Sequence, residues 1–153
     1  MKLYSTNNPA LRGSFQEAVF NSLPADKGLY MPEEIPQLDP YFIKNIQQDS
    51  LQDIAFTIAQ ACIGADIPAK ELKAIVEDAI NFEAPVKFLS ADTAVLELFH
   101  GPSYAFKDFG ARFMSRIMGY FSKQGEQLLD VLVATSGDTG GAVASGFLGV
   151  NGT

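Results

Sequence analysis

His100-Gly101-Pro102-Ser103-Tyr104-Ala105-Phe106-Lys107-Asp108 runs from a strand-like segment through a turn into a helical pattern. It is answered, 28 residues after Lys107, by Thr135-Ser136-Gly137-Asp138-Thr139-Gly140. Lys107 lies between Phe106 and Phe109 at the start of the helical pattern. Apolar neighbours and a helix N-terminus both disfavour a charged ammonium and leave the amine available as a nucleophile. An aldehyde cofactor such as pyridoxal phosphate needs such an amine from its protein. The second stretch follows an apolar run and opens a further helix, a geometry that aims backbone N–H groups at an anion.

Working outward, Leu128 to Ala134 is an apolar run broken only by Asp130, read as a buried strand, and Thr139 to about Leu148 as a helix of small residues. Upstream of Lys107, Val86–Leu89 and Ala94–Phe99 read as two strands joined by Ser90-Ala91-Asp92. Phe109, Phe113, Ile117 and Phe121 recur in helical register and predict a helix from Lys107 to about Ser122. Lys2–Thr6 reads as a strand, paired with Gly28–Met31, and Ser14 with Glu17 as a capping box opening a helix to about Phe20. Helices are also predicted over Tyr41–Gln48, from Leu51 with Asp49 or Ser50 as cap and Gly64 as exit, and after Asp66 with Pro68 near its first turn.

The composition shifts near Asn81–Pro85. The expected fold class is α/β. A mainly helical N-terminal domain with a short strand pair covers residues 1–84, and residues 85–153 begin a three-layer domain with a largely parallel sheet. One strand with its helix cannot complete such a sheet, so the chain is expected to be the N-terminal part of something longer. Exposed apolar surface around Phe109, Phe113 and Val131 would then favour self-association.

Of 153 residues, 47 % are hydrophobic and the net charge is −7, with 11 basic residues scattered along the chain. That supports a core and offers no basic stripe for nucleic acid. One cysteine, Cys62, sits in an apolar helical stripe as a small hydrophobe; without a possible internal disulfide, a reducing cytoplasm is expected. Neither a signal peptide nor a membrane span is visible in the sequence.

Each site residue also has a plain structural reading. Lys107 could be a surface lysine, and Asp108 a carboxylate favourable to the helix macrodipole. His100, the only histidine, could transfer protons or orient the Gly101-Pro102 turn; alone it builds no histidine metal cluster. Tyr104 could belong to a core or to a substrate wall. The Ser136–Gly141 loop lacks both the P-loop ending and the dinucleotide spacing, and glycine-rich turns often serve packing alone. Asp138 must be hydrogen-bonded away from an anion, be protonated or face a donor group, whereas the hydroxyls of Ser136 and Thr139 suit a carboxylate.

Leu98 through Gly110 with Thr135–Gly140 resembles the threonine synthases, pyridoxal-phosphate enzymes of the tryptophan-synthase-β-like fold type. Met1–Thr6 and Gly28-Leu29-Tyr30-Met31-Pro32 resemble the bacterial and fungal branch of that family. The resemblance implies a carbon–oxygen lyase of threonine biosynthesis that converts O-phospho-L-homoserine to L-threonine and phosphate. Lys107 would hold the cofactor covalently and shuttle protons, and Ser136 and Asp138 would contact the cofactor. Ser103, Ser136, Gly137 and Thr139 would bind substrate. The family's cofactor-phosphate loop and pyridine-nitrogen partner fall outside residues 1–153, so this stretch alone is expected to be inactive. A non-catalytic module and a related dehydratase or cysteine synthase are the other readings; the intact lysine motif disfavours the first, and the His-Gly-Pro-Ser turn the second.

Overall fold

A computed structural model describes residues 1–125 and 128–152. The chain forms two compact units, Met1–Ala74 and Ile75–Thr153.

In the first unit, β1 (Lys2–Ser5) is the centre of a three-stranded antiparallel sheet, flanked by β2 (Arg12–Ser14) and β3 (Tyr30–Pro32). Leu3 faces Gly13 on one side and Pro32 on the other, and only 5 % of it is exposed. The pairing of β1 with the Tyr30 segment is as expected. β2 is an addition: Arg-Gly-Ser carries no apolar alternation, and turn chemistry creates it. Leu11 N–H donates to the Asn8 carbonyl at 2.9 Å and reverses the chain alongside β1. β2 leads directly into α1 (Phe15–Asn21) through the expected capping box. Glu17 N–H donates to Ser14 Oγ at 3.2 Å, and Ser14 N–H to the Glu17 carboxylate at 2.7 Å.

The turn before β3 is tied back to β1. Asp26 Oδ1 accepts from the hydroxyl of fully buried Ser5 at 2.7 Å and from Gly28 N–H at 3.1 Å. The Ser5 hydrogen bond, supported by Gly28 N–H and opposed by burial, holds the Asp26 carboxyl below its ordinary value. A folded-state pKa below the unfolded one contributes stability above the ordinary carboxylate range, lost as pH falls through the lower folded value. We therefore expect the thermal midpoint to drop on acidification, and to drop less in Asp26→Asn. Identical pH dependence in the two proteins would contradict this role.

α2 (Pro40–Asn45) starts at Asp39, whose carboxylate accepts from Tyr41 N–H, and tightens into a 3-10 turn over Ile46–Gln48. The expected single helix over 41–48 is thus divided. α3 (Leu51–Ile63) is capped by Ser50, which accepts from Asp53 N–H at 3.1 Å, and ends where Gly64 N–H donates to the Gln60 carbonyl. Asp66, just before the next helix, pairs with the Met1 ammonium. That helix, α4 (Ala69–Ala79), buries Leu72, Ile75, Val76 and Ala79 along one face.

In the second unit, β4 (Val86–Phe88) and β5 (Ala94–Leu96) form an antiparallel hairpin, Val86 opposite Leu96. α5 (Lys107–Gly125) and α6 (Asp138–Phe147) pack against each other. The α/β class holds, but every ladder among the described residues is antiparallel. The strand expected at Leu128–Ala134 does not form. A strand needs a neighbour for its backbone N–H and C=O groups, and β4 and β5 satisfy each other. The run lies exposed instead, Leu128 at 88 % and Leu132 at 94 %, while Leu129 N–H donates to the Gly152 carbonyl. No helix among the described residues is long and apolar enough to cross a membrane.

Candidate active site

α5 and α6 run in the same sense. A Cβ added at Gly141 would stand 3.9 Å from the Ser103 Cβ, one at Gly146 3.1 Å from the Ala111 carbonyl, and one at Gly119 2.7 Å from Val150 Cγ1. The partners advance together along both helices, so both N-termini open at one end. There the lysine turn and the small-residue loop meet, with Ser103 beside the first turn of α6.

Lys107 is the first residue of α5, half-buried, its Nζ 5.2 Å from the centre of the Phe106 ring. The turn that delivers it is held from below by Asp108. Asp108 is fully buried and accepts from Ser103 N–H at 2.9 Å and Ser103 Oγ at 2.6 Å. Since the single hydroxyl hydrogen of Ser103 is committed to Asp108, Ser103 can meet a ligand only as an acceptor. Gly101 completes the turn, because a Cβ there would lie 2.4 Å from Asp108 Oδ2. Tyr104 sits in the left-handed region at φ 59°, with its N–H donating to the Gly101 carbonyl at 3.1 Å. At 79 % exposure its ring is no core residue. The His100 ring stacks on Phe99 and places Nε2 2.8 Å from the Glu97 carboxylate.

On the other side of the opening, Ser136, Gly137 and Asp138 are exposed and Thr139 is half-buried. Gly137 is the N-cap of α6 and offers no side chain. Thr135 supplies the missing cap, its Oγ1 accepting from Gly137 N–H and Gly140 N–H at 3.2 Å each. The sequence had shown Thr135 as part of the motif without a role. Asp138 stands at the first helical position, where a carboxylate complements the macrodipole. A Cβ at Gly137 would meet nothing within 4 Å, so the space before the loop is open.

Two arginines missed from sequence alone fix the rotation of α5. Arg112 donates from Nε to the Ala79 carbonyl at 2.9 Å and from Nη2 to the Asp78 carbonyl at 2.6 Å. Burial, then the neighbouring Arg116, press its guanidinium below the ordinary value; Asp78 and Asp108 oppose this. Arg116 reaches Asp78 Oδ2 at 2.9 Å and the Gly146 carbonyl at 2.5 Å. Their only sequence signal is i, i+4 spacing on one helix face.

A lysine thus opens one helix, and a loop with hydroxyls and backbone N–H groups opens its parallel neighbour. The family model described as "Threonine synthase N terminus" matches residues 2–80, and the chain belongs to that family. Threonine synthase of Serratia marcescens is 39 % identical over 150 residues, which is 98 % of this chain and 34 % of that protein. The crystal structure of threonine synthase from Escherichia coli superposes with a TM-score of 0.90 at 38 % identity, over 99 % of this chain and 35 % of that one. PLP-bound threonine synthase from Brucella melitensis gives a TM-score of 0.94 at 35 % identity, over 99 % and 34 %. The chain thus spans about a third of the length of these relatives.

Proposed function

We propose that the chain is the front part of a pyridoxal-phosphate-dependent threonine synthase, a carbon–oxygen lyase that turns O-phospho-L-homoserine into L-threonine and phosphate. The observation that carries this is Lys107 on the first residue of α5, at the end where the Ser136–Thr139 loop opens. Membership of the threonine synthase N-terminus family supports it. The donor set fits the cofactor: one primary amine for an aldehyde, hydroxyls for polar ring substituents, and backbone N–H groups for a carboxylate.

When bound, pyridoxal phosphate supplies an aldehyde carbon and a ring that draws electron density from the substrate. Lys107 Nζ would hold the cofactor and would carry protons between substrate carbons. Ser136 and Asp138 orient the cofactor. Ser136 and Thr139 take the substrate carboxylate, Gly137, whose N–H is held by Thr135 Oγ1, leaves open space for it, and Ser103 presents an acceptor, the polarity an ammonium needs. Residues 1–84 form the N-terminal domain and 85–153 open the cofactor domain, whose parallel sheet and phosphate anchor lie further along the full-length protein. Its partner is a phosphorylated small molecule, neither nucleic acid nor membrane, and its compartment the cytoplasm. Residues 1–153 alone do not turn over substrate, and their exposed Leu128–Val133 run favours self-association.

The test is borohydride reduction of the full-length polypeptide with pyridoxal phosphate, followed by peptide mapping. The label is expected on Lys107; label on Lys87 or Lys123 instead would overturn the assignment.

A further inference from the structure

We propose that Asp108 is the positioning residue that sets the direction in which Lys107 enters the site, an inference that rests on the function proposed above. A carboxylate in a first helical turn needs only exposure to complement the macrodipole, yet Asp108 is 0 % exposed. Burying a carboxylate is costly unless its oxygens are satisfied. Here both oxygens are spent on a single residue, Oδ2 on Ser103 N–H and Oδ1 on Ser103 Oγ. A two-point clamp of this kind fixes orientation as well as distance. It joins the turn before the helix to the residue next after Lys107.

Three further features make the clamp decisive for the lysine. Gly101 leaves Asp108 its room, since a Cβ there would lie 2.7 Å from the Asp108 Cβ. Tyr104 holds a left-handed conformation that an aromatic residue adopts only when its surroundings impose it. One turn further on, Arg112 is anchored to the carbonyls of Asp78 and Ala79, so α5 cannot rotate to compensate. Asp108 therefore closes the gap between an anchored helix and a strained turn, and Lys107 is carried between them. Without the clamp the first turn of α5 frays and the lysine loses its heading.

The test uses the full-length polypeptide with excess pyridoxal phosphate and follows the eight lysines of residues 1–153. A lysine amine adds to the aldehyde and expels water to give a C=N bond. Hydride from borohydride, with a solvent proton, then reduces that bond to a stable secondary amine. Mapping the eight lysines gives the rate of labelling at each position. Asp108→Ala is expected to slow labelling at Lys107 by about tenfold or more, which corresponds to ~1.4 kcal/mol. Labelling at the other lysines should not change. Asp108→Asn should restore most of the rate, because a carboxamide can accept from Ser103 N–H and donate to Ser103 Oγ.

A second measurement needs no cofactor: exchange of the Ser103 amide hydrogen should be slow in the wild type and Asp108→Asn and fast in Asp108→Ala. Equal Lys107 labelling in a folded Asp108→Ala, or unchanged Ser103 exchange, overturns the inference and leaves the functional reading intact. If Asp108→Ala fails to fold, Ser103→Ala takes its place, with a several-fold drop in Lys107 labelling expected and an unchanged rate overturning the proposal. Label spread evenly over all lysines of the wild type would overturn the functional reading and, with it, this inference.

Discussion

Lys107→Ala in the full-length polypeptide is expected to abolish covalent capture of pyridoxal phosphate and to stop phosphate release from O-phospho-L-homoserine. An alanine has no amine for the aldehyde and no group to move protons, and the proton-transfer role alone is worth ~10²–10⁴-fold in rate. Lys107→Arg should be equally inactive, because a guanidinium keeps the charge but is a poor nucleophile at any ordinary pH. Nothing in the packing makes the change destructive, since Lys107 is half-buried and its aromatic contact is with exposed Phe106. The thermal midpoint should therefore stay close to wild type. Lys123→Ala, in the last turn of α5, is the control and should retain activity. Phosphate release surviving in Lys107→Ala would place the reactive amine elsewhere.

Gly28→Ala is expected to cause the largest loss of stability. An alanine Cβ there would lie 2.2 Å from Ser5 Oγ and 2.8 Å from the Asn7 backbone nitrogen. The serine cannot simply turn away, because its hydroxyl donates to Asp26 Oδ1 and the residue is fully buried. The Asn7 contact is to backbone, which yields only if the turn after β1 moves. Overpacking costs ~1–3 kcal/mol and a lost hydrogen bond to a charged group ~1.5–3 kcal/mol. For a unit of 74 residues that sum lowers the melting midpoint by more than ~10 °C. Gly110→Ala is the counter-experiment. It lies inside α5 with nothing within 4 Å of an added Cβ, so it should gain ~0.5–1 kcal/mol from helix propensity. A melting midpoint for Gly28→Ala equal to wild type would show that the Ser5–Asp26 turn tolerates rearrangement.

Local chemistry made most elements legible. The Ser14 capping box, the Ser50 cap, the Gly64 exit and the hairpin around Ser90–Asp92 are short-range events, and short-range signals sufficed. The same holds for the start of α5 at Lys107. What escaped depends on partners distant in sequence. β2 exists because β1 accepts it, whereas Leu128–Ala134 has strong strand character and no strand beside it. The role of Asp108 was hidden for a related reason. Position after a turn suggests an exposed helix-start carboxylate, and only the fold shows that Ser103 curls back over it. Likewise the sequence set Lys107 and the Ser136–Thr139 loop in order without bringing them together. The common direction of α5 and α6, read at Gly119, Gly141 and Gly146, does that.

Because those close approaches and the Arg112 anchors hold α5 in one rotational setting, the lysine's place is an angle as much as a position. Inserting one residue between Phe109 and Gly110 would turn everything upstream by about 100° and shift it only ~1.5 Å along the axis. Arg112, Ala111 and Gly119 would keep their partners, while Lys107 would leave its present bearing. Inserting four residues would bring its bearing back to within about 40° of the original, at the cost of a longer reach. Helical phase, and not mere chain length, thus limits which insertions this end of the molecule could accept during its history.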